Sequence, residues 1–110
     1  MKFSRMKIVT FVPNENADDV RMALGEAGAG VLGEYTFCSF SAAGIGRFKP
    51  SDKAKPHIGE KNEINVVMEH RVEVTCDRKD AKSVVAALKK AHPYEEVALD
   101  IYPLLEEAEL

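Results

Sequence analysis

The chain has 110 residues, 45% of them apolar, and a formal net charge of −3. That is enough for one domain, residues 1–110, with a sizeable core, and too little for a second catalytic domain. Its lysines are scattered, and the one cluster (Lys49, Lys53, Lys55, Lys61) is interrupted by prolines, Asp52 and Glu60, which excludes a protein built mainly to grip nucleic acid.

No run approaches the eighteen or so apolar residues that span a bilayer, so no membrane partner is expected. Residues 1–6 are too short and polar for a signal peptide, and a soluble, cytoplasmic protein is the expectation. Residues 1–5 read as a disordered extension and 105–110 as a tail. Cys38 and Cys76 have no Cys-x-x-Cys spacing, and in a reducing compartment they read as two small buried hydrophobes rather than a disulfide or a zinc site.

Residues 7–12, Lys-Ile-Val-Thr-Phe-Val, are β-branched and aromatic and end at Pro13, which predicts a strand. Asn14 or Asn16 is placed to cap the following helix. Glu15, Asp18 and Asp19 suit its positive end, and Val20, Ala23, Leu24 and Ala27 form its apolar stripe. Gly28-Ala29-Gly30 ends it. A second strand is predicted from about Tyr35 to Ala42, broken by Gly44-Ile45-Gly46. Pro50, Pro56 and Gly59 then mark residues 44–62 as a long connecting loop.

Residues 63–76 alternate most cleanly. Ile64, Val66, Met68, His70, Val72, Val74 and Cys76 share one face, while Glu63, Asn65, Val67, Glu69, Arg71, Glu73 and Thr75 share the other. Such a strand would run about 46 Å, so a bend or bulge near Glu69-His70 is expected. A helix over 80–91 follows, with Val84, Val85, Leu88 and Ala91 inward, and a last strand over 97–102. The order β-α-β-β-α-β predicts an α+β, ferredoxin-like fold, with two helices on one face of a four-stranded antiparallel sheet. The apolar residues left on its open face, Tyr35, Phe37 and Val67 among them, point to oligomerisation.

Between the second helix and the last strand stands His92-Pro93-Tyr94-Glu95-Glu96. Pro93 drives His92 out of helical geometry, so an imidazole, a phenol and two carboxylates meet at a helix–strand junction. A structural reading stands beside the functional one: His92 caps the last carbonyls, Tyr94 packs under the helix, and both glutamates face water.

Several segments occur in a distinctive order. Ala27-Gly28-Ala29-Gly30 precedes Gly33-x-Tyr35-x-x-Cys38-Ser39-Phe40, then Gly44-x-Gly46-x-Phe48-x-Pro50 and Pro56-x-Ile58-Gly59. His92-Pro93-Tyr94-Glu95-Glu96-Val97-Ala98 and Asp100-Ile101-Tyr102-Pro103-Leu104 complete the series. From about Met6 to Leu104 it resembles the inserted domain of the Nif-three-like (DUF-thirty-four) proteins, and the His-Pro-Tyr-Glu stretch also resembles CutA. The resemblance implies a PII/CutA-like fold and a homotrimer, with ligands held at subunit boundaries under the loop between strands two and three. The lobes that build a dinuclear metal centre in full-length members lie outside these 110 residues, so neither that centre nor its hydrolase activity is implied.

Three site readings follow. A small anionic ligand would draw on Arg47 and Lys49, with Tyr35, Cys38, His92, Tyr94, Glu95 and Glu96 as further binding candidates. A divalent metal, the one cofactor suggested, would use His92, Glu95 and Glu96 in a CutA-like manner. His70, amid apolar neighbours, reads as a core or interface histidine, and His57 as a loop residue. Catalysis finds little support. Neighbouring Glu95 and Glu96 would diverge on a strand, Ser39 and Ser41 have no evident base, and Cys38 has no nearby cation. The sequence therefore reads as a non-enzymatic module that binds a small ligand or a protein partner, with the divalent-metal binder as the alternative.

Overall fold

In the first strand, β1 (Arg5–Pro13), Met6, Ile8, Thr10 and Val12 point to one face and are buried. The computed structural model describes residues 2–110, and Met1, part of the expected extension, lies outside the described residues. Arg5 is not extension but strand, paired with Asp77 and Leu104. A 3-10 turn over Asn14–Asn16 leads into α1 (Ala17–Glu26). Asn16 takes the cap position, but its side chain makes no cap bond. The chain continues through β2 (Phe40–Phe48), β3 (Asn65–Asp77), α2 (Ala81–Ala91) and β4 (Leu99–Leu104).

The sheet is antiparallel throughout, in the order β2-β3-β1-β4. Its helix-facing side carries the core. Met6, Ile8, Val12, Val72, Val74 and Cys76 meet Val20 and Leu24 of α1 and Val84 and Leu88 of α2. Close packing of these side chains is the main stabilising term, roughly 1.5–3 kcal/mol for each buried Val, Leu or Ile. The predicted α+β, ferredoxin-like order is thus realised.

The β2 register differs from the sequence reading. Tyr35–Ala42 has strand-like composition, but Leu32 and Tyr35 close a tight turn through two backbone bonds of 2.9 Å, with Gly33 at φ +57°. Phe37 adopts φ +58°, and its ring packs against Gly25 of α1 rather than on the sheet face. The strand starts at Phe40 and runs through Gly44-Ile45-Gly46, which was expected to break it. β2 is an edge strand, so its glycines weaken propensity without exposing a broken interior ladder. The connecting segment accordingly spans 49–64 rather than 44–62.

No bulge interrupts β3 at Glu69-His70, since the strand pairs in unbroken register with β1 from Pro13↔Glu69 to Arg5↔Asp77 and with β2 from Phe40↔Glu73 to Phe48↔Asn65. The length is absorbed by an overhang. The β2–β3 hairpin runs beyond the helices, leaving Ile45 (66% exposed), Ile64, Val66 and Met68 in water on the face that is core elsewhere. The domain measures 48 × 28 × 22 Å. At the edge of the helix layer Arg21 donates to Ser41 Oγ (3.0 Å) and to His70 Nδ1 (3.3 Å), so His70 is a hydrogen-bonded residue beside α1. The last strand falls at Leu99–Leu104 rather than 97–102, and it admits Pro103 because β4 is the other edge.

Candidate functional site

Pro93 sets the site. It forces His92 to φ −78°, ψ 136°, so α2 stops at Ala91 and the chain turns across the end of β1. His92 is buried there, its Nε2–H donating to the Phe11 carbonyl (2.7 Å) and its Nδ1 accepting from the Tyr94 amide (3.2 Å). Those two bonds fix one neutral tautomer. Burial pulls the imidazole pKa below its ordinary value, against the Phe11 carbonyl, which favours the charged ring. Thr10, also buried, donates to Ala98 O at 2.9 Å and ties the far end of the junction to β1.

Tyr94 consequently leans over the sheet face that carries no helices. Its ring centroid lies 4.9 Å from His92, 6.1 Å from Phe48 and 6.3 Å from His57. Its hydroxyl donates to Glu69 Oε2 at 3.0 Å. Burial, and then the Glu69 carboxylate, hold the phenol well above its usual ionisation range.

Beneath the ring lies a cavity of about 710 Å³. Its floor is Phe11 of β1, Glu69 and Arg71 of β3, and Ala42, Gly44, Gly46 and Phe48 of β2. Its outer wall is the 49–64 segment, which is drawn in where Glu95 Oε1 accepts the Lys55 amide (2.6 Å). Gly46 has a steric role: a Cβ there would collide with the Glu69 carboxylate, which lies across the strand at that point.

Of the eight binding residues singled out by sequence, Arg47, Lys49, Tyr94, Glu95 and Glu96 border this cavity. His92 stands behind Tyr94 as its support. Arg47 belongs to the opposite face of β2 from Gly46 and Phe48. Tyr35 and Cys38 are elsewhere: Tyr35 is 74% exposed in its turn, and the Cys38 backbone packs on Gly30 with Cys38 only half-buried, so of the two cysteines expected in the core Cys76 alone is buried. The structure does not gather His92, Glu95 and Glu96 into a three-donor metal set. Both His92 ring nitrogens are committed, and the described residues contain no cluster of three such donors. Sequence reasoning missed Glu69, Phe11 and Phe48. Glu69 sat in plain view on the polar side of the alternation, where it read as a solvated residue.

Comparison with known proteins agrees with this architecture. No family model matches the chain. A Bacillus subtilis protein named GTP cyclohydrolase 1 type 2 homolog is 53% identical over 98 residues, covering 89% of this chain and 26% of that protein. A Mycobacterium tuberculosis protein of the same name is 48% identical over 99 residues, 90% of this chain and 26% of its own length. The chain thus spans about a quarter of the curated relatives it matches.

Among solved structures, CutA1 from Shewanella sp. SIB1 superposes with a TM-score of 0.72 at 18% identity, over 96% of this chain and 86% of that one. The Bacillus subtilis GlnK–ATP complex gives 0.64 at 14%, over 94% and 84%. The fold is therefore that of a PII/CutA-like domain. A Bacillus cereus protein related to NIF3 aligns with a TM-score of 0.80 at 42% identity, over 93% of this chain and 26% of that chain. The chain is thus similar to a portion of these NIF3-related proteins, about a quarter of their length, and that portion has the PII/CutA-like fold.

Proposed function

We propose that this domain is a non-enzymatic binding module whose site is the cavity between the open sheet face, the 49–64 segment and the 92–96 junction. The observation that carries the reading is the convergence of three separate chain segments on one cavity of about 710 Å³, a size suited to a small molecule. GlnK, which shares the fold, is solved with ATP, which supports small-molecule binding as a use of this architecture. The curated relatives carry the name GTP cyclohydrolase 1 type 2 homolog, and an activity of that kind would involve the three quarters of those proteins that this chain does not span. Within the domain, His92 has both ring nitrogens occupied, which supports a supporting rather than a proton-transferring role.

The overhang formed by Ile45, Ile64, Val66 and Met68 supports self-association, with the homotrimer as the proposed state, the cavities near subunit boundaries and the cytoplasm as the compartment. Native mass spectrometry of chelator-free protein tests both parts. A trimer carrying extra mass from a metabolite is expected. A ligand-free monomer whose cavity resonances respond to no compound in a fragment screen overturns the reading.

A further inference from the structure

Glu69 is an ionisable side chain on the floor of this cavity, and among the described residues it forms no salt bridge. Among the described residues its carboxylate has one side-chain partner, the neutral Tyr94 hydroxyl on Oε2, and no ion pair. Arg71 shares its face of β3 but is committed elsewhere: its Nε donates to Glu73 Oε2 (3.2 Å), and its guanidinium lies 5.8 Å over the Phe11 ring. Arg47 belongs to the other face of β2. A carboxylate has about four acceptor positions, and one donor leaves Glu69 poorly compensated.

The surroundings favour one kind of occupant. Phe11, Phe48 and Tyr94 present aromatic rings to the same cavity, and the face of an aromatic ring attracts a cation. Glu95 and Glu96 add two further carboxylates at the border, where Lys49 and Arg47 also stand, while Arg71 on the floor is turned to Glu73 and the Phe11 ring. Gly46 lets the Glu69 carboxylate lie flat along β2, since any Cβ would displace it. We infer that the cavity seats the ammonium or guanidinium head of a small organic cation between the Glu69 carboxylate and the Phe48 and Tyr94 rings. An anion, the ligand expected from Arg47 and Lys49, would meet the unpaired Glu69 carboxylate at the place where the Phe48 and Tyr94 rings converge. The inference rests on the reading of this cavity as the ligand site, and adds the charge and shape of the ligand.

The test titrates three probes of one shape into isotope-labelled protein at pH 7: benzylammonium, benzyl alcohol and benzoate. Backbone amide shifts of Gly44, Gly46 and Tyr94 are followed. Benzylammonium is expected to bind at least about tenfold more tightly than either of the others. Glu69→Gln, which keeps the shape and an acceptor for Tyr94, should abolish that preference. The comparison of the three probes on the wild-type protein tests the inference even where Glu69→Gln fails to fold. Equal or tighter binding of benzoate or benzyl alcohol, or an unchanged preference in Glu69→Gln, overturns the inference while leaving the cavity a ligand site. Silence of the cavity amides to all three probes overturns the ligand-site reading and the inference with it.

Discussion

Tyr94 and Glu69 lie 25 residues apart in sequence, yet the Tyr94 hydroxyl donates to Glu69 Oε2 at 3.0 Å and closes the top of the cavity. The bond joins the helix–strand junction to the middle of β3, so the position of residues 92–96 is coupled to the sheet floor. Tyr94→Phe removes it and leaves the carboxylate less satisfied. A loss of about 1–2 kcal/mol of stability is expected, read as a lower denaturant midpoint at unchanged slope.

The same phenol should titrate late. Its folded pKa is raised above the ordinary value of 10, so the unfolded chain ionises first. The stability contributed is present below pH 10 and is lost as pH rises above it. Ultraviolet difference titration of the native protein should show one of its three tyrosines ionising well after the ordinary range, and that late component should vanish in Tyr94→Phe.

His92 gives the opposite limb. Its folded pKa lies below 6.5, so below that pH the unfolded chain takes up the proton first. Its contribution is present above pH 6.5 and is lost as pH falls from there toward the depressed folded value. Denaturant titrations at pH 7.5 and 5.5 should show a loss on acidification that His92→Gln reduces. His92→Ala, which removes a buried ring and both its hydrogen bonds, should cost about 2–4 kcal/mol at neutral pH.

Gly46→Ala separates site from stability. The added methyl meets the end of a flexible glutamate, and alanine lowers the entropic cost of ordering the backbone, so the net change in stability should stay within about 1 kcal/mol. The displaced carboxylate should release Tyr94, whose ionisation then moves back toward its ordinary value. A Tyr94 titration unchanged from wild type would show that Glu69 makes room for the methyl while keeping its bond to Tyr94.

The hairpin overhang is the surface proposed for self-association. Val66→Glu places a charge amid Ile45, Ile64 and Met68, already 57% exposed in the single chain, so folding should be spared. Sedimentation should show a smaller species with unchanged helical content. Phe37→Glu is a different experiment from the one its strand-like neighbourhood suggests. Phe37 packs on Gly25 in a left-handed loop, so that change strains the α1 contact rather than a sheet interface.

The architecture was largely legible because periodicity is local. Alternation over 64–76 marks β3, the Val84–Leu88 stripe marks α2, and Pro93 ends it; each needs only neighbours in the chain. β2 was not legible. Its composition favours strand at 35–42, but strand membership is decided by pairing with β3, and that begins at Phe40 and continues through two glycines. The helix layer's reach was hidden for a similar reason. Ile64, Val66 and Met68 follow the same alternation as Val72 and Val74, and only the placement of α1 and α2 decides which of them are buried.

The sequence by itself determined the α+β order, the helix-facing core and the place where His92, Tyr94, Glu95 and Glu96 leave α2, since spacing and proline geometry act over a few residues. Tertiary structure alone decided that Tyr94 would meet Glu69, that Arg47 would fall on the far face of β2, and that Phe11 and Phe48 would complete the cavity. Those relations join separate strands through their pairing register, and register is set by the whole sheet rather than by any one segment.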